Sequence, residues 1–342
     1  MWKGRSPVLP VILLLLAKTT WGGVSGRVIS SDAKPIGAAT VSAYAQETAE
    51  SRAERLMAGR SRAPLGTVGS TADGSFQLDT INPVVDVEVR AEGFAPSFVT
   101  VVNGQPLTAA LTRAKSRRGV VTAKGKPITG ATVVWMAGGG SSGASTELIV
   151  KSGADGSYDV PDPDVWANGL VIIHPDFGLL ERSPDLAKWP PSLAHELDDG
   201  VAIEGSVVEE RSGQAVAGAR LWVGGWPLGK TAAGGAFLIG HAPSAWRSVL
   251  ARTDGLVGTA KPAGRLVIQA RPARALSGVV RDAKTREPIA GAMVALQSLP
   301  WEALWTAASD ARGRYTFPSL AAAQYRSYVL HPGYSPDTGE RD

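Results

Sequence analysis

Residues 278–294, Gly-Val-Val-Arg-Asp-Ala-Lys-Thr-Arg-Glu-Pro-Ile-Ala-Gly-Ala-Met-Val, hold the pattern that decides the fold of this chain. The stretch begins with Gly-x-Val and ends with a run of the type Pro/Ala-apolar-x-Gly/Ala-Ala-x-apolar. Both elements occur four times, in the same order. The Gly-x-Val copies begin at Gly26, Gly119, Gly205 and Gly278, and the runs span residues 35–41, 127–133, 215–221 and 288–294. The chain is therefore organised as four long repeats.

Each copy continues with two turns. The first turn has an aromatic residue behind it and lies at Asp73-Gly74-Ser75-Phe76, Asp155-Gly156-Ser157-Tyr158, Gly234-Gly235-Ala236-Phe237 and Arg312-Gly313-Arg314-Tyr315. The second turn follows an apolar stretch and lies at residues 91–94, 174–177, 252–255 and 331–334. The spacing between copies is unequal, so we expect insertions in the loops. Repeats of this length indicate an array of small domains and not a solenoid.

The composition of the 342 residues is that of a globular β-protein, with 44% hydrophobic residues, 19% charged residues, 40 glycines and 23 prolines. Apolar residues alternate within each repeat, as at Ala131, Val133 and Trp135, and this period of two predicts strands. The net charge is +4, and basic residues concentrate only at 113–118, between the first two repeats. We interpret that cluster as a solvated linker. We expect no nucleic-acid binding, because such a partner requires a basic face or stripe.

The first 22 residues have the features of a signal peptide. Lys3 and Arg5 precede an apolar core at residues 8–17, and Gly22 is a small residue suited to cleavage. This core is too short for a transmembrane span, although an uncleaved anchor is the alternative. The chain has no cysteine, which excludes disulfides and thiolate metal sites. We therefore expect an exported protein, periplasmic, at the cell surface or extracellular, and we favour a bacterial source.

The ordered motifs resemble those of the carboxypeptidase regulatory-like domain, a family related to the transthyretin-like module. The fourth repeat matches best and the second nearly as well. In the first repeat Ala38 stands where the family has glycine; in the third, Ala215 replaces the proline and Gly234 the turn aspartate. The resemblance implies an all-β fold, a tandem array of four small, seven-stranded, prealbumin-like Greek-key β-sandwiches, without chemistry of its own.

We place the four predicted sandwiches at residues 23–115, 116–202, 203–275 and 276–342. Two stretches depart from the repeated pattern. Residues 47–67 form a charged insertion, for which a short helix over residues 48–57 and disorder are both open, with disorder favoured. Residues 176–196 are rich in proline, and we interpret them as an extended loop over the second sandwich.

The last eight residues hold no apolar pair, so we expect no buried strand among them. The fourth sandwich should then lack a closing strand and expose an unpaired edge. Two explanations are open: the chain belongs to a longer protein, which we favour, or a partner strand completes the sheet by β-augmentation.

No catalytic constellation is found in the sequence. The histidines are His174, His195, His241 and His331, and none is followed three residues later by glutamate, as the zinc motif of a carboxypeptidase requires. His174 and His331 precede the second turn at equivalent positions, so we expect a structural role, such as a hydrogen bond to a carbonyl. No Gly-x-Ser-x-Gly lies at a strand-to-helix turn, because the glycine- and serine-rich residues 138–143 lie between two predicted strands. We therefore predict a non-enzymatic protein without a cofactor or a metal site.

Paired tryptophans are the remaining candidates for binding. Trp222 and Trp226, and again Trp301 and Trp305, are four residues apart, a spacing that places both rings on one face. Exposed pairs of this kind would stack against sugars, whereas buried ones would close the cores or the contacts between repeats, which is the interpretation we favour. The alternation predicts that Trp135 is in the core and that Trp222 faces outward.

The main functional hypothesis is an exported, non-catalytic array that serves as a structural, spacer or adhesive module. The rival hypothesis is carbohydrate binding through exposed tryptophans, with a polysaccharide or another surface protein as partner. A third is the N-terminal part of a larger cell-surface or outer-membrane protein.

Overall fold

The computed structural model describes residues 23–137, 146–163, 167–182, 193–298, 304–335 and 337–341. The predicted signal peptide, residues 138–143 and Trp301 lie outside these ranges. Within them the chain is nearly all β, with one helix, and the predicted all-β class is confirmed. No helix in the described residues is long and apolar enough to cross a bilayer.

The first β-sandwich contains seven strands and the helix. Its elements are β1 (Val24–Ser30), β2 (Thr40–Ala45), α1 (Ala49–Met57), β3 (Gly66–Gly69), β4 (Ser75–Leu78), β5 (Val84–Arg90), β6 (Ser97–Val102) and β7 (Pro106–Leu111). One sheet has the order β4-β1-β7 and the other β3-β2-β5-β6, with β1 and β7 parallel. Val28, Val41 and Val87 are fully buried between the two sheets.

The second sandwich repeats this topology. Its strands are β8 (Ser116–Ala123), β9 (Lys126–Pro127), β10 (Thr132–Ala137), β11 (Thr146–Lys151), β12 (Ser157–Pro161), β13 (Gly169–Ile173), β14 (Leu180–Arg182) and β15 (Leu193–Leu197). The sheets have the orders β12-β8-β15 and β11-β10-β13-β14. The prediction of an extended loop at residues 176–196 is corrected, because β14 and most of β15 lie within this stretch. These strands form because Leu180, Leu193 and Leu197 pack on the second core.

The third sandwich closes into one continuous sheet. Its strands are β16 (Val201–Glu209), β17 (Arg220–Val223), β18 (Trp226–Lys230), β19 (Ala236–Ala242), β20 (Val249–Arg252), β21 (Leu256–Ala260) and β22 (Leu266–Pro272). The order is β18-β17-β20-β21-β22-β16-β19, because β21 also pairs with β22. This extra pairing links the two layers that are separate sheets in the first two sandwiches.

The fourth sandwich has a smaller first sheet. Its strands are β23 (Arg274–Val279), β24 (Met293–Ser298), β25 (Leu304–Ala308), β26 (Arg314–Leu320), β27 (Tyr325–Leu330) and β28 (Asp337–Arg341). The sheets are β23-β26 and β25-β24-β27-β28. The last eight residues contribute β28, which pairs antiparallel with β27 at the edge of the second sheet. The expectation was that they form no buried strand, because they lack an apolar pair; an edge strand held by backbone pairing needs no such pair. No described strand lies beside β23 where β7, β15 and β22 lie in the other sandwiches.

The recurring motifs have a steric basis. A Cβ atom at Gly119 would lie 2.1 Å from the ring of Tyr158, and one at Gly278 would lie 2.4 Å from the Tyr315 hydroxyl oxygen. In these two sandwiches the motif glycine is therefore required because the aromatic residue behind the first turn lies across it. A Cβ at Gly26 or Gly205 would instead lie 1.8 or 2.4 Å from the carbonyl oxygen of Leu107 or Leu266. The valine two residues on points into the core, as the fully buried Val121 illustrates.

A buried hydroxyl recurs in each sandwich, at a position that none of the sequence motifs indicates. Ser70 Oγ accepts a hydrogen bond from the Ala39 amide at 2.9 Å and donates to the Ile36 carbonyl at 2.7 Å. The corresponding residues are Ser152, Thr231 and Ser309. This hydroxyl joins the Pro/Ala-led run to the end of the strand before the first turn, and it supports the structural equivalence of the four repeats.

Candidate functional site

Helix α1 is the element that brings the sandwiches together. Thr48 caps it, and its side-chain oxygen accepts a hydrogen bond from the Ser51 amide at 3.2 Å. Glu50 in the first turn and Arg55 in the last complement the helix dipole. Nine residues are too few for a helix that is stable by itself, so packing must hold α1 in place.

The apolar face of α1 packs between the second and third sandwiches. Ala53 and Leu56 are buried and are part of one hydrophobic cluster with residues from both sandwiches, which we name the central cluster. Its buried members are Ala53, Leu56, Val134, Val171, Leu179, Trp222 and Trp226. Val134 and Val171 lie on the outer face of the β10–β13 pair, so this cluster is separate from the sandwich cores.

The polar face of α1 carries charges that pair with the second sandwich. Glu147 on β11 is almost fully buried; its carboxylate lies 2.5 Å from Arg55 Nη2 and 3.3 Å from Arg52 Nε. Arg55 also binds Glu47 at 2.7 Å. Burial lowers the pKa of Arg52, and the Glu147 carboxylate opposes that shift. A similar pair, Arg62 with Asp86 at 2.9 Å, fixes the chain after the helix.

The same helix contacts the third and fourth sandwiches. Glu54 binds Arg220 on β17, and Glu50 Oε1 lies 2.8 Å from Arg252 Nη1 on β20. The Ala49 amide donates to Thr306 Oγ1 on β25 at 2.7 Å. One helix inserted in the first sandwich therefore makes direct contacts with the other three.

The preference for disorder in the insertion is wrong, and its alternative, a helix close to residues 48–57, is observed as α1. Composition favoured disorder because Glu and Arg dominate the segment. The charges are satisfied instead by partners far away in sequence, such as Glu147 and Arg252. The ion pairs with these partners offset the conformational entropy that the insertion loses when it becomes ordered, which contacts within the insertion are too few to offset.

The candidate tryptophans are buried where the structure describes them. Trp222, Trp226 and Trp305 are 6%, 7% and 6% exposed, which fits the favoured interpretation of buried rings and not the alternative of exposed ones. Trp222 does point away from the core of its own sandwich, as the alternation predicts, but α1 and the second sandwich cover it. Trp305 lies in the fourth core, with the Arg252 guanidinium 4.7 Å above its ring. Trp135 is fully buried in the second core, as predicted.

These positions leave no exposed platform for sugar stacking at the three described rings. Trp226 Nε1 is bonded to Glu181 Oε2 at 3.2 Å, which ties β18 to β14 of the second sandwich. The indoles thus form contacts between sandwiches and close cores, which was the favoured interpretation of the pairs.

The histidines have structural environments. Nδ1 of His174 accepts from the Asp176 amide at 3.2 Å, and Nδ1 of His331 accepts from the Gly333 amide at 3.1 Å, so both close the second turn. Burial lowers the pKa of His331, and a hydrogen bond to the Ala290 backbone opposes this shift. Within the described ranges, no three His, Asp or Glu side chains are grouped as metal ligands.

A buried histidine–tyrosine pair lies in the second sandwich, and no sequence motif predicts it. His195 on β15 is 1% exposed, and its Nε2 lies 2.8 Å from the Tyr158 hydroxyl. Burial lowers the pKa of His195 to about 4 and raises the pKa of Tyr158. Ala109 and Ile268 occupy the same strand position in the first and third sandwiches. The sequence signal for this pair is therefore a histidine at a strand position where the first and third sandwiches have apolar residues.

The family model for the carboxypeptidase regulatory-like domain matches residues 275–341. The fourth repeat is a carboxypeptidase regulatory-like domain. This regulatory-like domain begins with β23 and includes β28, and its motifs are those on which the sequence resemblance rested. Membership of the first three repeats in the family stays a prediction. No curated protein matches the chain.

Several solved structures are similar to parts or most of the chain. The Bacillus anthracis TIE protein has 9% identity and a TM-score of 0.20, with 92% of this chain and 70% of that chain covered. The shaft pilin SpaA from Lactobacillus rhamnosus GG has 11% identity and a TM-score of 0.20, with 52% and 96% covered. BcpA, the major pilin subunit of Bacillus cereus, has 9% identity and a TM-score of 0.18, with 94% and 95% covered. TM-scores of this size carry no inference about assembly or function.

Proposed function

We propose that the chain is an exported, non-catalytic structural module in which α1 holds four β-sandwiches as one rigid body. The observation that carries this proposal is that α1 contacts all three of the other sandwiches. We further propose that the sandwiches are divided near residues 115, 202 and 275, and that the basic and apolar pattern before residue 18 directs export.

A rigid module has a different use from a flexible string of domains. Interfaces between domains in one chain are usually modest and permit relative motion. The contacts of α1 add a buried apolar cluster and buried ion pairs to these junctions, which opposes such motion. A body of this kind presents its outer surfaces in a constant relative orientation, which suits a scaffold or adhesive module at the cell surface.

Substitution at Leu56 tests this role. Leu56 is 1% exposed in the central cluster, whereas Leu65, in the same insertion, is 46% exposed. We expect Leu56→Asp to increase the radius of gyration in small-angle X-ray scattering and to open the junctions to protease, because an unpaired carboxylate cannot remain in that cluster. Leu65→Asp, the matched control, should leave both unchanged. Equal compactness of the two variants would contradict the role of α1.

The non-catalytic part of the proposal has its own test. The purified chain should not hydrolyse peptide or ester substrates above background. Hydrolysis that a single substitution abolishes would overturn this part while leaving the scattering result intact.

A further inference from the structure

The first and last strands of three sandwiches lie side by side and run parallel. β1 pairs with β7 over six residue pairs, and β8 with β15 and β16 with β22 over five each. In a parallel ladder, the start of the first strand and the end of the last strand are at opposite ends. A pull on these two points therefore acts along the strands. It loads the hydrogen bonds of the ladder together instead of one after another.

The covalent chain passes directly from one of these ladders to the next. Residues 112–115 join β7 to β8, residues 198–200 join β15 to β16, and residue 273 joins β22 to β23. Each connection leads from the last strand of one sandwich to the first strand of the next. Tension along the chain therefore enters a sandwich at the start of its first strand and leaves it at the end of its last strand, with the parallel ladder between these two points.

Backbone hydrogen bonds lengthen two of the ladders beyond the paired strands. In the first sandwich the Ser31 amide donates to the Leu111 carbonyl at 3.0 Å, and in the third the Glu210 amide donates to the Ala270 carbonyl at 2.9 Å. Both bonds hold the end of the last strand, where tension leaves the sandwich. They therefore strengthen the point at which a pull would begin to separate the two strands.

The motif glycine allows the last strand to approach the first. In the first and third sandwiches, a Cβ atom at this position would lie 1.8 or 2.4 Å from the carbonyl oxygen of Leu107 or Leu266. A Cβ atom cannot lie this close to a backbone oxygen, so a side chain here would displace the last strand. The glycine that recurs in the sequence thus preserves the parallel ladder in these two sandwiches.

Helix α1 lies outside the path of tension. It is inserted between β2 and β3, and it holds the other sandwiches through ion pairs such as Glu50–Arg252 and through the central cluster. Moving the sandwiches apart breaks these contacts without breaking any strand ladder. The connections between sandwiches can straighten only after α1 has released, so its contacts are loaded before the ladders.

We propose that the chain bears tension along its length in two stages. In the first stage the contacts of α1 release, and the array lengthens while each sandwich stays folded. In the second stage the ladders β1–β7, β8–β15 and β16–β22 carry the load in shear. Unfolding under force depends on the unfolding barrier, which a ladder loaded in this direction raises. This function goes beyond the scaffold role, and only its first stage rests on that role.

Optical tweezers test the second stage by comparing two pulling directions. Because the chain has no cysteine, handles can be attached to introduced ones. Ser25→Cys with Thr112→Cys pulls β1 and β7 along their ladder, whereas Ser25→Cys with Asp79→Cys separates the paired ends of β1 and β4. At one loading rate the first pair should rupture at a force at least about 2-fold higher, since evenly spaced hydrogen bonds share the load. Equal forces, or a lower force for the first pair, would overturn the proposal.

Two glycine variants locate the load on the ladder. Gly26→Ala should lower the rupture force of the Ser25–Thr112 pair to near that of the Ser25–Asp79 pair, because the displaced carbonyl interrupts β1–β7. Gly69→Ala is the matched control, since a Cβ at Gly69 on β3 meets nothing within 4 Å, and it should leave the force unchanged. An equal effect of both variants would contradict the proposal. The comparison of directions does not depend on either variant.

Handles at Ser25→Cys and Lys284→Cys test both stages together. The chain with native Leu56 should lengthen at low force and then give three steps at high force, one for each ladder. Leu56→Asp should abolish the low-force lengthening and keep the three steps. Loss of these steps with Leu56→Asp would show that α1 and not the ladders bears the load, and would overturn the proposal. Absence of the low-force lengthening with native Leu56 would overturn the scaffold role and the first stage alone, so the two failures are distinguished.

Discussion

Ala38 has a backbone conformation for which the other three sandwiches use glycine. Its φ is +57°, and the equivalent Gly130, Gly218 and Gly291 have φ values of +77°, +68° and +74°. The left-handed region costs an L-residue roughly 1–2 kcal/mol, partly offset by the greater chain entropy that glycine loses on folding. The alanine at this position, where the family has glycine, therefore strains the backbone locally.

Ala38→Gly should increase the free energy of unfolding by about 0.5–1 kcal/mol, because it removes this strain. Urea denaturation measures the change. The reverse substitution, Gly130→Ala, should decrease the free energy by a similar amount, since a Cβ at Gly130 meets nothing within 4 Å and only the backbone conformation is affected. No loss in Gly130→Ala would contradict the strain argument.

His195 should make the stability of the second sandwich dependent on pH. Its pKa is lowered from 6.5 to about 4 in the folded protein, so the unfolded chain binds a proton between these values and the native chain does not. Stability is therefore fully present above pH 6.5 and falls as the pH drops towards 4, by roughly 3 kcal/mol in all. Urea denaturation at pH 7, 6, 5 and 4 measures the slope.

The control for this pH dependence is His195→Gln, which keeps a hydrogen-bonding side chain beside Tyr158 and does not titrate. The difference between the two proteins isolates the histidine from carboxylates such as Asp32, whose pKa is lowered to about 2, and whose contribution is lost only at lower pH. Identical slopes for the two proteins would show that His195 is not held neutral by burial.

At the scale of elements, α1 depends on charges that belong to other sandwiches. Glu147 is 3% exposed at its side chain and faces both Arg52 and Arg55. A buried ion pair contributes little compared with apolar packing, but removal of one partner leaves an uncompensated charge and is strongly destabilising. The ion pairs therefore determine where the helix docks more than they add net stability.

Glu147→Gln should lower the free energy of unfolding by about 3 kcal/mol, because the buried guanidinium groups lose their counterion. It should also speed amide hydrogen exchange in α1. Glu210→Gln is the control, since its pair with the 67% exposed Arg271 is on the surface and should contribute below about 1 kcal/mol. Arg52→Met added to Glu147→Gln should recover part of the loss; if it causes a further loss of equal size, the charge argument fails.

At the scale of the whole molecule, the contacts of α1 join the four sandwiches through surfaces that each repeat would otherwise expose. The outer face of β10–β13, the indoles of Trp222 and Trp226 and the guanidinium of Arg252 all become contact surfaces. Contacts of this kind between sandwiches are what the proposed scaffold role requires. Among the described residues, β23 of the regulatory-like domain lacks the parallel neighbour that β1, β8 and β16 have.

The sequence by itself determined the all-β class, the turns, most strands of each repeat and the inward position of residues such as Trp135, but it did not predict β14, β15 or β28. These features are local: alternation with a period of two, glycine at positive φ and proline at strand entry depend on neighbours in the chain. Only the tertiary structure decided that residues 49–57 are helical, that Trp222 is covered, and that His195 meets Tyr158. The partners in these contacts lie tens to hundreds of residues apart, so no local pattern encodes them. Apolar burial and counterions from other sandwiches offset the loss of conformational entropy and the desolvation of charged groups, and residues nearby in sequence could not do so.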